Sequence, residues 1–141
     1  MKLDGREIEE LLAVDVPAHL ATIDPRGFPR VTPIWFVWAD GAFYMTSVEG
    51  QPHLRNIARN PRTSVCVDTE EPESAGGIRP HRQVKGYGEA ELFPDEAGEW
   101  TRRITLKYIR GEAADATAAR RAAMPRVVIR LRPLRMTARG T

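Results

Sequence analysis

The sequence predicts a mainly β domain carrying a few helices, arranged as a small barrel. Short apolar runs with two-residue alternation recur along the chain, each bounded by Gly, Pro or Asp. Helical periodicity is confined to brief stretches between them. The length, 141 residues with 42% hydrophobic and 28% charged, suits a single domain over 1–141 rather than two.

The elements follow in order. Asp4, with Glu7 three residues on, forms a capping-box pattern, and Ile8, Leu11 and Leu12 make one apolar stripe, so residues 4–13 read as a helix. His19 to Ile23 reads as a strand that ends in the turn signal Asp24-Pro25-Arg26-Gly27. Val31 to Trp38 is apolar on both faces, which predicts a strand covered on both sides, and Pro33 predicts a bulge or an edge position. Asp40-Gly41 marks a hairpin, with Ala42 to Ser47 returning.

Gln51 to Asn60 reads as a helix with Pro52 in its first turn and Leu54, Ile57 and Ala58 buried. Thr63 to Val67 is a strand, and Thr69 to Pro80 a loop. In Arg82 to Phe93, Val84, Gly86, Gly88, Ala90 and Leu92 form one inward side, small enough for a barrel interior. Pro94 opens a helix to about Ile109 with Gly111 as its cap, and residues 112–123 are helical. Val127 to Leu131 reads as a half-exposed strand, and Leu134, Met136 and Ala138 share one side of the last.

Composition narrows the function classes. No apolar run approaches the roughly 18 residues of a membrane span. Met1 to Glu10 alternates charges without the apolar stretch of a secretory signal, and the single cysteine, Cys66, excludes an intrachain disulfide framework and a multi-cysteine zinc site. The expected location is the cytoplasm. Net charge is +2, but residues 1–101 hold 10 basic and 17 acidic residues and 102–141 hold 11 and 2. The basic end reads as a solvated or ligand-facing surface; it lacks the interleaved aromatics of a single-strand-binding surface, which leaves a nucleic-acid partner as the weaker reading.

The residues that carry chemistry cluster at Ala42 to Asn60. Two hydroxyls, Thr46 and Ser47, end a strand; Val48-Glu49-Gly50 form a loop; a helix starts at Gln51-Pro52, with His53 and Arg55 in its first turn. First-turn N–H groups lack intrahelical partners and the helix dipole favours an anion there, so this is a phosphate cradle or, alternatively, an ordinary connection with capping hydroxyls. His19, His53 and His81 have no metal-ligand spacing, and no metal is expected. Cys66, between Val65 and Val67, reads as a packed thiol. Trp35, Phe36 and Trp38 read as core or subunit interface, or else as an aromatic wall beside a planar cofactor. No nucleophile-elbow or Walker motif is present.

The run from His19 to Pro29 followed by Val31-Thr32-Pro33-Ile34-Trp35-Phe36 resembles the opening of the pyridoxamine 5′-phosphate oxidase-like superfamily, in its flavin/deazaflavin-dependent oxidoreductase branch. So does Leu54-Arg55-Asn56-Ile57-Ala58-Arg59-Asn60-Pro61-Arg62, and Arg82-Gln83-Val84-Lys85 resembles the family's Arg-Gln-Val-Arg strand. The resemblance implies a six-stranded antiparallel split β-barrel of Greek-key type with peripheral helices. It implies a homodimer holding FMN, or alternatively the deazaflavin coenzyme F-420, between subunits; haem is a further alternative.

By the same resemblance, Val31, Thr32, Pro33, Ile34, Trp35 and Phe36 run along the cofactor ring. Thr46 and Ser47 match the phosphate-contacting pair, Gln51, His53, Arg55 and Asn56 lie beside it, and Gln83 is a further cofactor contact. The implied activity is hydride transfer to or from a small planar conjugated substrate. The alternative is a non-catalytic carrier of flavin, deazaflavin or haem. Two departures matter. Pro52 and His53 stand where the family has Arg and Lys, and the C-terminal Trp-x-x-Arg signature of pyridoxamine phosphate oxidases is missing, so that particular activity is not expected.

Overall fold

The computed structural model describes residues 1–74 and 76–141; the expected loop at 69–80 includes Ala75, which lies outside the described residues. Nine strands form two antiparallel sheets among the described residues, rather than the six strands expected. The first sheet contains β1 (Ala18–Ile23), β2 (Pro29–Ile34), β5 (Arg62–Glu70), β6 (His81–Glu89) and β9 (Arg135–Gly140), in the order β2-β1-β5-β6-β9. The second contains β3 (Phe36–Ala39), β4 (Ala42–Val48), β7 (Glu91–Pro94) and β8 (Arg126–Leu131), in the order β3-β4-β8-β7.

The higher count has a local cause. The run from Val31 to Trp38 breaks at Trp35 and passes from one sheet to the other, as β2 and β3. The run from Arg82 to Phe93 does the same at Ala90, as β6 and β7. Pro33 sits on β2, the edge of its sheet, where a residue without an N–H costs no ladder bond. The glycines on β6 face in as the alternation predicts: a Cβ at Gly88 would come 2.9 Å from the Arg132 carbonyl oxygen.

The helices are α1 (Gly5–Leu12), α2 (Pro52–Arg59), α3 (Glu99–Tyr108) and α4 (Ala114–Ala122). On α1 both halves of the capping box form: Asp4 Oδ1 accepts from the Glu7 N–H at 2.8 Å, and Glu7 Oε1 from the Asp4 N–H at 3.2 Å. On α2, Leu54 and Ile57 are buried as expected, but Ala58 is exposed and Asn56 is buried in its place. Pro94 ends β7 instead of opening a helix. A 3-10 turn at Glu96–Gly98 intervenes, and α3 starts at Glu99 and leaves through the extended residue Ile109, so Gly111 is not its cap.

One apolar core lies between the sheets, with Leu20, Phe36, Phe43, Met45, Val67, Val84, Ile129 and Leu131 fully enclosed. A smaller cluster of Ala42, Tyr44 and Val128 lies on the other face of β4 and β8, under Trp100 of α3, whose ring stacks on Tyr44 at 3.7 Å. That second layer corrects the half-exposed reading of β8: it is a central strand buried on both faces. Among the described residues, no helix is long and apolar enough to cross a membrane.

Candidate functional site

Side chains alternate along a strand, so Thr46 and Ser47 leave β4 on opposite faces. Ser47 Oγ lies 2.9 Å from His53 Nε2, which joins the strand end to the first turn of α2. Thr46 points instead to α3, where its hydroxyl meets Thr101 Oγ1 at 3.0 Å. Thr101 donates on to Asp95 Oδ2 at 2.6 Å, so Thr46 is the donor of the pair. Asp95 also accepts the Trp100 and Thr101 N–H groups at 3.0 and 2.9 Å, which caps α3. Of the two hydroxyls expected at α2, the geometry therefore places one there. Neither acts as a cap for α2: its N-cap is Gln51, whose side chain makes no capping hydrogen bond.

An open groove of about 540 Å³ runs between α2 and the β1–β2 connection. Val31, Thr32, Gln51, His53, Arg55 and Asn56 line it, and so do six further residues, three of them charged: Asp24, Arg30 and Arg59. Arg59 carried a legible signal, since it stands one helical turn after Arg55. Arg30 carried none; it reaches the groove because β2 pairs it opposite Thr22. The three guanidinium groups are anchored. Arg55 donates to the Gly50 carbonyl, and Arg59 to the Ile23 carbonyl at 2.9 Å. Arg30 lies 3.6 Å from Asp24, whose carboxyl is held below its ordinary range chiefly by the Phe28 N–H.

His53 is half-buried, and that burial pushes its imidazole pKa down, toward the neutral form. Asn56 is committed to the scaffold: its Nδ2 donates to Thr22 Oγ1 at 3.1 Å and its Oδ1 accepts from Arg59 at 3.3 Å. Above the groove runs the edge of β2, where alternate residues turn their backbone away from β1; with Pro29 and Pro33 lacking an N–H, Val31 supplies the outward donor and the others only carbonyls.

The remaining candidates lie elsewhere. Phe36 is fully enclosed in the core, and Ile34 packs against it from β2. The Trp35 ring is engaged by Tyr108, stacked at 4.6 Å and 4°, and by the Arg121 guanidinium at 4.8 Å from its centroid. Trp35 is a pin between β2 and α3, not an open wall. Pro33, with Val31, lies on the outer face of the five-stranded sheet, opposite His19. Gln83 shares that face beside Asp68 and Arg139, but β1 and β5 separate it from β2, roughly 14 Å at three strand spacings. Cys66 is half-exposed on the same face rather than packed inside. The face is uncovered within the chain, with Val31 65% and Tyr87 51% exposed, against the expectation that the Val31–Trp38 run is covered on both sides.

The pin has a titratable base. Tyr108 donates to the Val16 carbonyl at 2.8 Å and accepts the Phe36 N–H at 3.3 Å. Lys107 Nζ donates to the Leu12 and Phe36 carbonyls, both at 3.0 Å. Burial pushes the Lys107 ammonium down to about 8 from an ordinary 10.5, and the Tyr108 phenol up to about 12. Above about pH 8 the unfolded chain keeps a proton on Lys107 that the folded chain has lost, so stability rises with pH until Tyr108 reverses the trend above about 10. Urea midpoints at about pH 7.5 and 9.5 should therefore differ more for the wild type than for Lys107→Met; equal pH dependence would contradict this.

Among the described residues, no three His, Cys, Asp or Glu side chains converge as a metal site requires. Two antiparallel sheets, four helices and a cation-lined groove between a sheet edge and a helix start define an α+β domain of the split-barrel type with a site suited to an anion. The family model for pyridoxamine 5′-phosphate oxidase matches residues 5–140, and the chain belongs to this family of FMN-binding split barrels. No curated protein matches it by sequence. Among solved structures, an F420 reductase is 28% identical, with 91% of this chain and 94% of that one covered and a TM-score of 0.64. The conserved hypothetical protein Rv2991 from Mycobacterium tuberculosis is 21% identical over 96% of this chain and 84% of its own, with a TM-score of 0.76. A FAD and haem binding protein from Mycobacterium smegmatis is 20% identical over 96% of this chain and 70% of its own, with a TM-score of 0.73.

Proposed function

We propose that the protein is a cytoplasmic oxidoreductase that uses a flavin or the deazaflavin F-420 and works as a homodimer of split barrels. The observation that carries this reading is the groove itself. His53, Arg55 and Arg59 present imidazole and guanidinium groups to one channel beside the free edge of β2, with the buried Ser47 hydroxyl behind His53 at 2.9 Å. That donor set fits a phosphate-bearing cofactor, and the strand edge offers the Val31 N–H and backbone carbonyls to the rim of a planar ring. When bound, such a cofactor supplies hydride transfer to or from a planar conjugated substrate.

The protein's own part is orientation. The α2 end holds the anionic tail, the Trp35–Tyr108 stack fixes where β2 passes into β3, and the Val31 N–H on the β2 edge stabilises negative charge on the ring. No nucleophile is needed, which agrees with the absence of a triad motif from the sequence. The dimer reading rests on the uncovered outer face of the five-stranded sheet and on Gln83, which lies too far across that sheet to reach the groove of its own chain. FMN and F-420 were the cofactors suggested by the sequence; the named relatives add FAD. A carrier without turnover is the second reading, favoured by the haem-binding neighbour; against it, the His53 Nε2 that a haem iron would require is already held on Ser47.

Ser47→Ala combined with His53→Ala should weaken cofactor affinity at least several-fold, measured by equilibrium titration; unchanged affinity would remove the cradle. Substrate-dependent oxidation of the reduced cofactor supports the enzyme. A Soret band on adding haem, lost in His53→Ala, would support the carrier instead.

A further inference from the structure

The outer face of the five-stranded sheet is not flat. Along one row that crosses every strand, the cross-strand partners run Val31, Ala21, Ser64, Tyr87, Arg135. Large side chains stand at both ends and small ones in the middle, so the row dips at Ala21 and Ser64. The neighbouring row, through Cys66 and Lys85, continues the dip. The result is an open, mostly apolar trough of about 410 Å³.

One end of the trough adjoins the α2 groove, since Val31 lines both. The other end is cationic. Arg135 stands opposite Tyr87, and Lys85 lies diagonally across from it, roughly 7 Å away at the backbone. Like charges this close repel. Among the described residues, neither cation makes an ion pair. The carboxylates of this face stand elsewhere: Asp68 lies 3.9 Å from His19, Glu70 binds Arg79 at 3.1 Å, and Glu89 stands opposite Arg62. Two uncompensated cations at the end of an apolar trough fit an anion with an apolar body. Four strand spacings, roughly 19 Å, separate Val31 from Arg135 at the backbone, and the long cationic side chains take up part of that. A ligand that joins the two ends is therefore elongated, roughly 10 Å from its charge to the end beside Val31.

Resting on the cofactor reading above, we propose that the trough is the substrate site and that the substrate is an elongated, conjugated carboxylic acid. Lys85 and Arg135 hold its carboxylate and determine specificity. Ala21 and Ser64 leave room for its flat body, and its far end lies over Val31, beside the cofactor ring. A second copy seated on this face roofs the trough without filling it.

The test is titration of the full-length protein, without cofactor, with trans-stilbene-4-carboxylate and with its neutral carboxamide, followed by fluorescence. The two probes share a shape and differ in charge. The wild type should bind the acid roughly ten-fold or more tightly than the amide. The double variant Lys85→Gln/Arg135→Gln should bring the two affinities together and leave flavin and F-420 binding unchanged. Ser64→Leu fills the trough and should abolish binding of both probes, which keeps the test decisive if the double variant fails to fold. Equal affinity for acid and amide in the wild type, binding of neither, or a ratio unmoved in the folded double variant overturns the inference alone. Failure of both flavin and F-420 to bind overturns the cofactor reading and, with it, the role of the trough as a substrate site, whatever the probes do.

Discussion

Phe36→Ala is expected to lower the stability of the domain by about 4 kcal/mol, in the range for deleting a fully buried Phe where the cavity cannot collapse. The side chain is completely enclosed, tilted against Phe43 at 5.8 Å and covered by the Lys107 ammonium at 3.6 Å from the ring centroid. Its backbone is equally engaged: the N–H donates to Tyr108, and the carbonyl accepts from Lys107. Phe36 is thus the first residue of β3 and the point where the chain crosses between sheets. Loss of packing here should also loosen the adjoining β2 edge, so cofactor affinity in the surviving folded fraction should fall as well. A chemical denaturation series measures the first effect, and a loss under 1–2 kcal/mol would contradict the burial assigned to this ring.

Gly98→Ala should cost about 3 kcal/mol, through two independent causes. Gly98 has φ +66, a left-handed conformation that an alanine adopts only with strain. An added Cβ would also meet the Cβ of Ala122 and come 2.8 Å from its Cα and 2.9 Å from its carbonyl oxygen, backbone that cannot swing aside. The position is where α3 begins against the end of α4, so the helical pair cannot close without shifting. The loss of the pair would expose Trp100 and Tyr44, whose stacking gives a near-UV signal to follow. A thermal midpoint within a degree or two of the wild type would show that α4 does not pack as described.

Much of the fold was legible because local chemistry agrees with it. The capping box at Asp4 and Glu7, the Asp40-Gly41 hairpin and the alternation of Val84, Gly86 and Gly88 each state their structure within a few residues. What was not legible depends on partners distant in sequence. Nothing in Val127 to Leu131 reveals that Trp100 covers its second face, and nothing in Trp35 reveals that Tyr108 and Arg121 pack on its ring. Thr46 shows the same limit at the site. Two adjacent hydroxyls look like one cradle in sequence, yet strand alternation sends them to α2 and α3 separately. Ala58 and Asn56 exchanged roles because a buried amide can be satisfied, here by Thr22 across the groove floor.

At the site, the family pattern located α2 and the β2 edge, and the groove brings six of the named residues together. It missed Arg30 and Asp24, which only strand pairing delivers to the channel. Gln83, by contrast, belongs to a face that one chain leaves uncovered.

Equilibrium titration of the apo-protein with flavin and with F-420, followed by fluorescence, tests most directly whether the α2 groove holds a flavin-type cofactor. Saturable binding of at least one of them is expected, weakened in the Ser47→Ala/His53→Ala variant. Binding of neither at tens of micromolar would contradict it.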